Sequence, residues 1–154
     1  MKPIFTIAIV GALAAPLVFA KGSFDDAERM LQVGTDYGIT HFQSIEFDDD
    51  YDDDDVEIEG WIGQEWFVEF DLNRNGDIER EQRQTVTGDI YGLTADEVRS
   101  YLNAARQNGM ERIEEFNVDR RGRIEIDGED DRGRDLELDF GTDSTEPTRI
   151  DRDR

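Results

Sequence analysis

The chain has 154 residues, with 39 Asp and Glu against 17 Lys and Arg and a formal charge of -22. Such a balance repels phosphate backbones and anionic lipid surfaces and favours cations or basic partners. Cysteine is absent and His41 is the one histidine, which excludes thiolate chemistry and multi-histidine zinc sites and leaves little for a Ser/His/Asp triad.

Met1-Lys2-Pro3 supplies a positive start, residues 4–19 are apolar, and Val18-Phe19-Ala20 ends in small-residue fashion, so residues 1–20 read as a secretory signal peptide, with an uncleaved anchor as the alternative because residues 4–20 are near the lower limit for spanning a bilayer. The mature protein is then periplasmic or secreted. A first helix begins at Ser23, whose hydroxyl and the carboxylate of Asp26 form a capping pair, and it carries Ala27, Met30, Leu31 and Gly34 on one face before Gly38. Residues 40–47 read as a strand in which Phe42 is out of phase, the mark of a bulge. A turn from Asp48 to Asp55 follows, acidic at every position but Tyr51.

Val56, Ile58, Gly60 and Ile62 alternate, as do Trp66, Val68, Phe70 and Leu72. One register serves both runs only if Gly63-Gln64-Glu65 is the hairpin loop, which pairs Ile58 with Phe70. Residues 77–84 suggest a fourth strand with Ile78 toward the core, and residues 85–93 connect to a second helix. Thr94 and Glu97 make its capping box, Val98, Tyr101, Leu102 and Ala105 its apolar face, and Gly109 its stop. A strand over 111–118, with Ile113 out of phase, leads to a hairpin of Ile124, Ile126 and Gly128 against Leu136, Leu138 and Phe140 around Asp131-Arg132-Gly133. Residues 141–154 contain Pro147 and few apolar groups, so a mobile tail without a strand is expected there.

Val56-Glu57-Ile58-Glu59-Gly60 and Val68-Glu69-Phe70-Asp71 thus recur as Ile124-Glu125-Ile126-Asp127-Gly128 and Leu136-Glu137-Leu138-Asp139, a self-similarity that reads as two copies of one supersecondary unit. A capped helix followed by this meander resembles the PepSY domain. The resemblance implies an α+β fold with a helix on one face of each antiparallel sheet, and no shared catalytic constellation. It also implies a part in holding or inhibiting a peptidase. The expected layout is signal peptide 1–20, repeat one 21–84, linker 85–92, repeat two 93–140 and disordered tail 141–154.

The hairpin registers place Glu57 opposite Asp71, Glu59 opposite Glu69, Glu125 opposite Asp139, Asp127 opposite Glu137 and Glu129 opposite Asp135 on the face away from the helices. Facing like charges are unfavourable. Ions, high salt, arginines or a basic partner would relieve them, and so would simple solvation. Trp61 and Phe67 interrupt the acids as a cross-strand pair, so Trp61, Phe67, Glu57, Glu59 and Glu69 are the candidate partner-binding residues; packing against the other copy explains the aromatics equally well. Residues 71–82 resemble an EF-hand loop, with Asp71, Asn73, Asn75, Asp77 and Glu79 as candidate calcium ligands around Gly76. Gln82 stands where a bidentate carboxylate belongs. Calcium is the one cofactor suggested, and the acidic turn 48–55 can also meet the basic turn of Arg120, Arg121 and Arg123. The function expected is a non-catalytic, exported binding or inhibitory module acting on a peptidase or other envelope protein, with a calcium-binding protein as the alternative.

Overall fold

The computed structural model describes residues 21–48 and 55–153. The leader and most of the acidic turn lie outside them. Two helices, α1 (Phe24–Tyr37) and α2 (Ala95–Gln107), are each followed by four strands. After α1 come β1 (His41–Phe47), β2 (Asp55–Ile62), β3 (Trp66–Asn73) and β4 (Ile78–Thr85). After α2 come β5 (Met110–Val118), β6 (Ile124–Asp130), β7 (Asp135–Phe140) and β8 (Pro147–Arg152).

All eight strands join one antiparallel sheet in the order β4-β3-β2-β1-β5-β6-β7-β8. The expectation of an α+β fold built from two helix-plus-sheet repeats is thereby corrected. The described residues are mostly β, in a single sheet whose centre is the β1–β5 contact, where Ser44, Ile45 and Glu46 pair with Asn117, Phe116 and Glu115. The reason is the edge: two separate meanders would each leave a strand edge unpaired, and joining β1 to β5 satisfies both. Two short bridges tie the halves further, Gly22 to Ile113 and Leu93 to Phe42.

Both helices start as their sequences require. Ser23 and Thr94 accept from the backbone N–H of Asp26 and Glu97, whose side chains return to the N-cap. Met30 and Leu31 of α1 and Val98 and Ala105 of α2 are fully buried in the same core as Ile58, Phe70, Ile126 and Leu138. Each such aliphatic or aromatic side chain contributes about 1.5–3 kcal/mol on leaving water, so helices of this length are held by packing rather than propensity. Phe140 meets Tyr101 edge to face at 5.4 Å, and Phe70 meets Tyr37 at 4.4 Å.

The hairpins adopt the register read from the sequence: Ile62 faces Trp66, Ile58 faces Phe70, and Ile126 faces Leu138. Bulges fall at Phe42/Ser44 and Ile113/Glu115, which is why Phe42 and Ile113 are out of phase yet buried. Two expectations are corrected. Residues 141–154 contain β8, paired from Leu136↔Arg152 to Phe140↔Pro147; proline is tolerated there because it opens an edge strand. Ile78 is 40% exposed and does not reach the core, since β4 lies at the other sheet edge with every residue exposed.

Candidate functional site: the open face of the sheet

The helices cover one face of the sheet, and the residues between the buried positions of each strand populate the other. The pairings define a row across all eight strands. Arg80 faces Asp71, Asp71 faces Glu57, Glu57 faces Glu46, and Glu46 faces Glu115. Glu115 then faces Asp127, Asp127 faces Glu137, and Glu137 faces Asp151. Everything in that row after Arg80 is a carboxylate. A parallel row runs Gln82, Glu69, Glu59, Ser44, Asn117, Glu125, Asp139, Arg149.

Adjacent carboxylates on a half-buried surface cannot all ionise at ordinary carboxylate values. Burial, reinforced by repulsion from Glu69, Glu59, Asp71 and Glu46, pushes Glu57 up to about 7. Burial and the charges of Glu125, Glu137 and Glu115 push Asp127 up to about 7. Glu59 and Glu115 are raised for the same reasons, Glu59 against hydrogen bonding from Ser44 and Glu115 against hydrogen bonding from Asn117. Relief comes from the sheet edges: Arg80 pairs with Asp71, and Arg149 Nη1 lies 2.9 Å from Glu137. No cation was foreseen at residue 21, yet Lys21 Nζ reaches Glu114, Glu129 and Asp135 at 2.9, 3.3 and 3.1 Å. It meets them because Gly22 bridges β5, a contact no local pattern announces.

Trp61 and Phe67 pair across β2 and β3 as expected, with ring centroids 5.3 Å apart. Trp61 is only 3% exposed. Tyr91, from the connection before α2, lies 6.3 Å from the indole, and the guanidinium of Arg120 sits 5.7 Å from the Tyr91 ring. Together with Glu59, Gln43 and residues 84 and 86–90 these groups line a cleft of about 540 Å³. Glu59 accepts from Gln43 Nε2 at 3.2 Å and from Ser44 Oγ at 3.1 Å. Gln43 Oε1 and Trp61 Nε1 are buried and find no hydrogen-bond partner among the described residues. Of the candidate partner-binding set, Trp61, Phe67 and Glu59 share this cleft, and Glu57 and Glu69 continue from it along the acidic rows.

The candidate calcium ligands occupy a β-hairpin. Asp71 is a strand residue on the acidic face, and β3 and β4 flank the turn in place of the two helices of an EF-hand. Asn73 Oδ1 accepts from the N–H groups of Asn75 and Asp77 at 3.0 and 3.1 Å, and Gly76 takes a left-handed conformation at φ 88°. Asp119 and Asp130 make the same pair of bonds in their own turns. The spacing that imitates a calcium loop is thus a turn motif used three times. Asp77 and Glu79 are exposed, and Gln82 donates to Glu69 at 2.9 Å. The acidic turn proposed to meet Arg120, Arg121 and Arg123 lies mostly outside the described residues.

Among the described residues, no helix is long and apolar enough to cross a membrane. No family model matches the chain, and no curated protein matches it. A candidate lipoprotein of Clostridium difficile 630, known from a crystal structure, is similar over 86% of this chain and 94% of its own, with 13% identity and a TM-score of 0.47.

Proposed function

We propose that this protein is an exported, non-catalytic binding module that holds a basic segment of a protein partner against the open face of its sheet. One observation carries the reading: a row of carboxylates crosses seven adjacent strands, with like charges directly opposite one another. Burial is the larger cause of the raised values of Glu57 and Asp127, and a cationic segment laid across that row offsets the repulsion that adds to it, so it gains electrostatic energy the free protein lacks. The cleft supplies an anchor. Its volume of about 540 Å³ suits one large side chain, and three aromatic rings beside Glu59 match the chemistry of a lysine or arginine head. Export rests on the leader read in residues 1–20, and a peptidase as the partner rests on the PepSY resemblance.

The test is a titration of the whole protein with a synthetic Lys/Arg-rich peptide, followed by tryptophan fluorescence and repeated at several salt concentrations. Glu59→Gln and Phe67→Ala should weaken binding about tenfold or more, the loss expected when an anchor contact is removed. Asp143→Asn, which removes the same charge from an exposed turn away from the face, should leave it unchanged. Equal loss in Glu59→Gln and Asp143→Asn, with none in Phe67→Ala, would reduce the effect to net charge and refute a defined site.

A further inference from the structure

Among the described residues, two groups of three carboxylates each offer one oxygen within 4.8 Å of the others: Glu57 with Glu69 and Asp71, and Glu125 with Glu137 and Asp139. Their surroundings differ in the state of one residue. Asp71 is neutralised directly by the Nε of Arg80. Asp139 is only 7% exposed, and its Oδ1 accepts no hydrogen bond among the described residues. The nearest cation, Arg149 Nη1, stands 3.6 Å from Asp139 Oδ2, beyond hydrogen-bond reach, because it is drawn to Glu137 and Asp151 at 2.9 and 2.7 Å. A buried carboxylate oxygen left without a donor is costly, and Asp139 belongs to a group of its own kind.

We infer that Glu125, Glu137 and Asp139 form a calcium site on the open face of the sheet, distinct from the hairpin turn at residues 71–82. Three arguments lead to the ion. The donors are all carboxylate oxygens, the hard ligands that suit calcium rather than zinc or copper. Oxygens mutually within 4.8 Å can all reach an ion at calcium's bond length of about 2.3–2.6 Å. Three carboxylates and Arg149 leave a double negative charge, which one divalent cation cancels. The side chains come from β6 and β7, paired Glu125 to Asp139 and Asp127 to Glu137, so the donors are held by ladder hydrogen bonds before an ion arrives. Asp127 Oδ1, also buried and without a hydrogen-bond partner among the described residues, belongs to the residue that pairs with Glu137. Water completes the coordination on the open side.

Calorimetric titration of the full chain with calcium chloride tests this. One saturable site is expected, with a dissociation constant of roughly 10⁻⁴–10⁻³ M, the range of extracellular calcium modules. Asp139→Asn should weaken binding at least tenfold. Because that residue is buried, Glu125→Gln provides a second variant less exposed to a folding defect, and it should weaken binding similarly. Arg149→Ala should tighten binding several-fold, since it removes a competing cation; a purely structural role for Arg149 predicts no gain. Asp71→Asn and Asp77→Asn should leave the site intact. No saturation up to about 10 mM calcium, which lies beyond that affinity range, overturns the inference. So does binding that survives Asp139→Asn and Glu125→Gln but is lost with Asp77→Asn. The basic-peptide titration is run without calcium, so either proposal can fail alone.

Discussion

Glu57→Gln tests the electrostatics of the open face most directly. In the folded protein Glu57 is raised from its ordinary 4.5 to about 7 and Asp127 from 3.8 to about 7. The sign follows from which state binds the proton. Between pH 4 and pH 7 the folded form keeps protons that the unfolded chain has released, so stability falls as pH rises through that window and is lowest above it. At 1.36 kcal/mol per pH unit, the gross cost of ionising Glu57 is about 3 kcal/mol, and that of Asp127 about 4. Both side chains retain contact with solvent, which screens the charge and reduces each to about 1–2 kcal/mol. The two are not summed, because protonating either one relieves its neighbours. Glu57→Gln should therefore raise stability by about 1–2 kcal/mol at pH 8 and leave it nearly unchanged at pH 4. Other carboxylates act in the opposite sense. The side chain of Arg134, with backbone donors, lowers Asp130 to about 2, and Asp26 is lowered by its bonds with Ser23 in spite of burial. Their contribution is lost only as pH falls toward their depressed values, which places the stability maximum near pH 4–5. Urea unfolding of wild type and variant at pH 4.5, 6 and 8 in low salt measures all of this, and added salt should narrow the gap between them. Wild-type stability that rises from pH 5 to pH 8, or a variant less stable than wild type at pH 8, would refute the argument.

Gly128→Ala should destabilise the protein by about 2–4 kcal/mol in the same assay, because its Cβ would stand 1.9 Å from the carbonyl oxygen of Arg112 in the neighbouring bulge; a loss below about 0.5 kcal/mol would contradict the bulge geometry. Truncation after residue 143 removes β8 and bares the edge of β7. It should lower the melting temperature by several degrees and produce concentration-dependent association on size-exclusion chromatography, the usual consequence of an open edge. Trp61 is 3% exposed and Trp66 37%, so Trp66→Phe should leave a blue-shifted emission that acrylamide quenches poorly. A red-shifted, readily quenched spectrum would place Trp61 in water and dissolve the cleft.

Local information carried the parts of this fold that were legible in the sequence. Alternation and turn length set the β2–β3 and β6–β7 registers, because a slip of one residue would put Ile58 and Phe70 in water. Capping pairs fixed the helix starts. The join between β1 and β5 was not legible, since it consists of three residue pairs between segments about 70 positions apart, and Ser44, Glu46, Glu115 and Asn117 advertise no core face. β8 escaped for a related reason: an edge strand is held by backbone bonds to one neighbour, and Ile150 remains 48% exposed. The facing acids of each hairpin could be read from register alone, whereas their fusion into one row depends on the central join. Trp61 and Phe67 were legible as an outer-face pair, but their cover, Tyr91, lies in a segment without periodicity. The strand-to-strand turn at residues 71–82 was legible because the Val68-Glu69-Phe70-Asp71 strand recurs as Leu136-Glu137-Leu138-Asp139, and Asn73, Asp119 and Asp130 share one turn chemistry with glycine three places on.

The two ends of the open face differ in how they are neutralised, and that difference bears on how a partner would lie. Trp61 and Phe67 correspond, 68 positions on, to Glu129 and Asp135. At the first place an aromatic pair is roofed by Tyr91; at the second a carboxylate pair is held by Lys21. Arg80 and Arg149 occupy the outer strands. Glu46, Glu57, Glu115 and Asp127, in the four central strands, therefore lie furthest from these fixed cations, and Glu57, Glu115 and Asp127 among them have their carboxyl values raised. A basic segment gains most by crossing those strands, where the carboxyl values are raised, and its orientation is set by which end reaches the aromatic cleft. Replacing central carboxylates should then reduce peptide affinity more than replacing Asp151 at the margin, although each change removes one charge.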